Sequence, residues 1–85
     1  MDVRVEAEVT KLVANINLMT GITNIFDYNR CLDMFERLRS EGILFDPEEI
    51  RRMLCDQCGM LPEDAKDVQK MAAKFLAGKR VKRRQ

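Results

Sequence analysis

The residues best equipped for chemistry are three cysteines, two of them in the stretch Cys55-Asp56-Gln57-Cys58-Gly59. Two cysteines three apart occur in zinc sites and in thiol redox centres. A structural zinc site wants four ligands, commonly two such pairs or one pair with two histidines. This chain offers one pair, Cys31 and no histidine, so a metal would need a carboxylate or a symmetric dimer sharing its cysteines. In redox centres the reactive cysteine sits at a helix N-terminus, where the positive end of the helix dipole stabilises thiolate. Here the pair falls in the last turn before Gly59, at the negative end, with Asp56 between the thiols. Position therefore argues against an activated nucleophile, and packing is the simpler expectation. Cys58 follows Ile50 and Leu54 at helical spacing, and Cys31 stands in an apolar stripe, where a free thiol behaves as a small hydrophobe. Cys55 lies about 100° around the helix from Leu54. On that flank it is expected to meet the first helix or a subunit boundary.

Nothing else in the chain assembles into a reactive centre. Without histidine the commonest general base is missing. Ser40 has Glu41 beside it but no base, and the other carboxylates fall on polar faces and at helix starts. Each glycine is isolated, so no phosphate-cradling loop is formed. The expectation is a protein that is not an enzyme, with no cofactor, no metal and no small-molecule substrate.

The elements that carry these residues read as helices. Gly21, Gly42, Gly59 and Gly78 each directly follow a segment of helical period, and glycine is the usual residue just past a helix end. Asp46-Pro47-Glu48-Glu49 is an N-cap, a first-turn proline and two carboxylates at the positive helix end. Pro62-Glu63-Asp64 repeats the device. Asp27, or alternatively Asn24, can cap the second helix. The start "VRVEAEV" alternates like a strand, but Val5, Val9, Leu12, Val13 and Ile16 keep helical spacing over the longer window, so helix is favoured. The expected helices span about 3–19, 27–41, 47–58 and 62–77. Their apolar stripes are Tyr28, Cys31, Leu32, Phe35 and Leu38 on the second, Ile50, Met53, Leu54 and Cys58 on the third, and Ala65, Val68, Met71, Ala72 and Phe75 on the fourth. One stripe per helix requires burial against another helix. The fold class expected is all-α, a small four-helix bundle-like domain over 1–78 with a short basic C-terminal tail, 79–85. At 85 residues its core is modest and its stability correspondingly limited.

The connections are themselves apolar. Ile22, Ile25, Phe26, Ile43, Leu44, Phe45, Met60 and Leu61 either plug the ends of the bundle or expose a patch to a second chain. Ile43, Leu44, Phe45, Met60, Leu61 and Cys55 are the candidates for such an interaction surface.

Charge supplies the strongest functional signal. The formal net charge is +1, yet Lys79, Arg80, Lys82, Arg83 and Arg84 hold five of the fifteen basic residues, leaving ten basic against fourteen acidic in the rest. Lys66, Lys70 and Lys74, spaced by four, form one ridge on the fourth helix that runs on into this tail. Such a strip suits phosphate backbones, acidic protein surfaces or anionic lipid headgroups. It has no aromatic residue for base stacking, so base-specific readout is not implied. A DNA-binding helix-turn-helix around Gly59 is disfavoured, because its second helix would present Glu63 and Asp64 to the phosphates. No apolar run reaches the roughly 18 residues of a membrane span, no secretory signal is visible at the N-terminus, and an odd cysteine count points to a reduced, cytoplasmic protein. The function expected is a non-enzymatic helical module that self-associates, as a homodimer or with another protein, and engages an anionic partner through its tail, with nucleic acid foremost. A protein-only adaptor or regulator is the alternative, and a dimer-bridging metal or thiol site at Cys55 and Cys58 a third.

Overall fold

A computed structural model of the chain describes residues 2–15 and 25–78, with side chains except at residues 15 and 25–28. Among the described residues there are four helices and no strand: α1 Val3–Asn15, α2 Ile25–Ser40, α3 Pro47–Asp56 and α4 Pro62–Leu76. The all-α expectation holds, and the alternating start is helical. Asp2 explains that start. Its carboxylate accepts a hydrogen bond from the Arg4 backbone N–H at 2.8 Å, satisfying one of the N–H groups a helix start leaves over. Arg4 also forks back onto the same carboxylate, 2.9 Å away. At α3 the anticipated cap forms as read: Asp46 accepts from the Glu48 N–H at 2.9 Å with Pro47 next in line.

The ends shift by one or two residues. α2 starts at Ile25, so Asp27 lies inside it rather than capping it, and it ends at Ser40. α3 stops at Asp56 and α4 at Leu76. The expected stretch 16–19 of the first helix, Gly21 and the apolar residue Ile22 lie outside the described residues, as does Asn24. At the end of α2 the Gly42 N–H donates to the Arg39 carbonyl and the Ile43 N–H to the Leu38 carbonyl, at 3.0 and 2.9 Å. That pair of bonds needs a left-handed residue at Gly42, whose φ is +71°.

α3 packs most extensively on α4, α1 on α2, and α2 on α4. Val5, Val9 and Leu12 of α1 are buried against α2 residues including Leu32, Phe35 and Met34 in one apolar cluster. Met34 belongs to the stripe of α2 although the sequence reading left it out; it follows Cys31 by three and precedes Leu38 by four. Glu8 of α1 also holds Arg37 of α2 at 3.0 Å. An exposed ion pair contributes about 0–1 kcal/mol, whereas each buried aliphatic contributes about 1.5–3 kcal/mol, so burial decides this pairing. Phe35, fully buried, joins three elements: its ring stacks on Phe45 of the α2–α3 connection at 5.4 Å and meets Phe75 of α4 at 5.8 Å. Arg39 closes the cluster from outside, its guanidinium 4.4 Å from the centre of the Phe75 ring.

Candidate interaction surfaces

The lysine ridge follows directly from how α4 is seated. Ala65, Val68, Met71 and Ala72 are buried and Phe75 is packed against the core. At 100° per residue, Lys66, Lys70 and Lys74 centre about 160° from that stripe, and all three are exposed. Among the described residues none of the three has an ion-pair partner. α4 then ends with the Ala77 N–H bonded to the Ala73 carbonyl and Gly78 at a φ of +74°. The tail residues Lys79, Arg80, Lys82, Arg83 and Arg84 lie outside the described residues.

The apolar connections divide residue by residue. Ile43 and Met60 go into the core, 3% and 4% exposed, and Phe45 packs against it through the stacked rings. Leu44 and Leu61 point out, 89% and 61% exposed. Of the candidate surface set, Leu44 and Leu61 therefore remain accessible. The ten residues of α3 separate them, about 15 Å of helix, so they belong to different patches.

Cys55 and Cys58 are both half-buried. Cys31 is buried, as the stripe of α2 required. Cys55, expected on a flank, packs against the core. Cys58, expected in the core, is half-buried. The helix ends at Asp56, so the 3.6-residue period that aligned Cys58 with Leu54 no longer applies two residues later. The Met60 N–H instead reaches the Leu54 carbonyl, 2.9 Å across the turn. Partial burial pushes the Cys58 thiol above its ordinary value, the direction opposite to an activated thiolate. Among the described residues no cluster of three or more His, Cys, Asp or Glu side chains is placed to hold a metal.

Among the described residues, open surface pockets of about 230–290 Å³ fall below the ~300–1,000 Å³ usual for enclosed small-molecule sites. One is lined by Asp2 and Val5 from the first helix end and by Leu44, Phe45, Asp46 and Glu49 around the start of α3. Beside it, Glu49 also lines a second with Glu6, Arg52 and Asp56. The hydrogen bonds from Arg4 hold the Asp2 carboxyl below its usual value. The third, between α1 and α2, is lined by Lys11, Leu12, Arg30, Asp33 and Arg37. Sequence reasoning missed the acidic pair of pockets. It assigned Asp46 and Glu49 to a helix start, which they are, without any sign that the start of α1 lies beside them.

Over residues 1–85 the chain matches the family model described as Domain of unknown function (DUF1889). The chain belongs to this family. Neither the curated proteins nor the solved structures give a match. For this DUF1889 chain, no helix among the described residues is long and apolar enough to cross a membrane. Its described surface includes the cationic ridge of α4, the acidic pockets along α3, and the separate exposed leucines Leu44 and Leu61.

Proposed function

We propose that this DUF1889 chain is a non-enzymatic helical interaction module that engages an anionic partner through the ridge of α4 and residues 79–85. The observation that carries the reading is the exposed row Lys66, Lys70 and Lys74, without ion-pair partners among the described residues and on the helix that leads into five more cations. Nucleic acid, bound through its phosphates and without base readout, is the partner that fits a strip of point charges lacking aromatic residues. Self-association, in this reading, runs through Leu44 or Leu61, since an exposed leucine at either site gains by being covered. The free thiols suit a reducing, cytoplasmic setting. A bridging metal or thiol role for Cys55 and Cys58 gains little, because Cys55 packs against the core and partial burial pushes the Cys58 thiol above its ordinary value.

Fluorescence anisotropy with a mixed-sequence oligonucleotide across a salt series tests the charge strip. Each phosphate contact removed should lower the slope of log affinity against log salt by about 0.7–0.9. Replacing Lys66, Lys70 and Lys74 by glutamine should flatten that slope, and replacing the five tail cations should flatten it further. An unchanged slope in both variants would remove the reading. Sedimentation of the wild-type chain tests the second half, and a monomer at every concentration would end the self-association claim.

A further inference from the structure

The ridge of α4 has a complement on another face of the molecule. The two acidic pockets share Glu49, and together they form a shallow groove between the first turns of α1 and the length of α3. Val5, Phe45 and Met53 supply an apolar floor, and Leu44 stands at one end, 89% exposed. Asp2 is engaged with Arg4, and Asp46 with the cap of α3. Glu6, Glu49 and Asp56 have no ion-pair partner among the described residues. Arg52 also lines the groove, but its guanidinium is held by Glu48 at 2.8 Å. The groove is therefore apolar at its base and acidic at its rim.

The dimensions of ridge and groove agree. Glu49, Met53 and Asp56 share one face of α3, which sets the two carboxylates about 10 Å apart along the helix. Lys66 and Lys74, the ends of the ridge, stand about 12 Å apart. Beside Lys74 the exposed Ala73 and Ala77 offer a small apolar surface, as Leu44 does beyond Glu49. The two rows do not meet within one chain. No residue of α4 lines either pocket, and the ridge faces away from the core on which α4 is seated.

We infer that the groove receives α4 of a second copy of this chain. That helix runs antiparallel to α3, with Lys74 at Glu49, Lys66 at Asp56, and Ala73 and Ala77 over Leu44. Complementary charge sets the register, and covering Leu44 removes an exposed apolar side chain from water. Exposed ion pairs are weak and screened by salt, so the association is reversible and salt-sensitive. An anionic partner competes with it for the same lysines. The inference rests on the self-association half of the proposed function and names the two surfaces that meet.

Sedimentation of charge-reversed full-length chains tests this, with helix content checked by circular dichroism. One variant carries Lys66→Glu and Lys70→Glu on the ridge. The other carries Glu6→Lys and Asp56→Lys in the groove, where both positions are exposed and tolerate the exchange. Each alone should self-associate about tenfold or more weakly than wild type, because like charges then face each other. Mixed one to one they should associate again, since each groove meets a ridge of opposite sign. The ridge variant mixed with Asp33→Lys/Glu36→Lys, the same charge change placed on α2, should recover less. Equal recovery in the two mixtures would mean that net charge alone draws the chains together, and overturns the inference. Wild-type association in either variant alone also overturns it, and leaves self-association to another surface. A wild-type chain that stays monomeric at every concentration overturns the self-association reading and this inference together.

Discussion

At Cys58 the backbone has turned out of α3, and the thiol sits half-buried with its proton favoured by desolvation. A thiol raised in the folded state binds its proton more tightly there than when unfolded. The stability this contributes is fully present below the unfolded thiol value and is lost as pH rises through the folded one. Alkylation followed by peptide mass spectrometry should show Cys58 reacting more slowly at neutral pH than in an unfolded peptide, with its pH midpoint displaced upward. Faster reaction than the peptide would mean that a neighbouring charge stabilises thiolate after all. Cys31, buried in the core, should be the slowest of the three. Cys31 and Cys58 illustrate what spacing can convey: it placed Cys31 correctly, and it misassigned Cys58 because helical period says nothing about the residue where the helix stops.

At the scale of the element, α3 and α4 begin alike in sequence but differ in the residue before the proline. Asp46 caps α3 with a hydrogen bond. Leu61 occupies the corresponding position of α4, in extended conformation and with no side-chain bond to the helix, while 61% exposed. An apolar residue at that position forgoes about 0.5–2 kcal/mol relative to a capping serine or aspartate. Leu61→Ser should therefore raise the urea midpoint by an equivalent of about 1 kcal/mol, without altering the slope. The same substitution should weaken any self-association that uses Leu61. A destabilised Leu61→Ser monomer would show that this leucine contributes more by packing than a cap returns. Proline, glycine and the acidic first turns made these boundaries legible to within two residues, because capping is local and depends on backbone groups only a few positions away.

Across the whole molecule, Phe35 is the residue on which the elements converge. It is fully buried in α2 and meets Phe45 from the connection to α3 and Phe75 from α4. Removing so large a buried side chain costs about 3–5 kcal/mol, while a domain of this size has a total of the order of 4–13 kcal/mol. Phe35→Ala should consequently lose most of its stability, seen as a broad or strongly lowered thermal transition by circular dichroism. A melting temperature within a few degrees of wild type would mean that the three-ring cluster is peripheral to the core. The amino-acid sequence alone determined the helical class, the bounds of α2, α3 and α4 to within two residues, and most of the buried stripes of α3 and α4, since each depends on interactions within a few residues. Tertiary structure decided which connecting residues turn inward, sending Ile43 and Met60 to the core and leaving Leu44 and Leu61 outside. It also decided that Asp2 and Glu49, 47 positions apart, line one pocket. Such placements depend on how helices cross in three dimensions, and no local pattern of residues records that geometry.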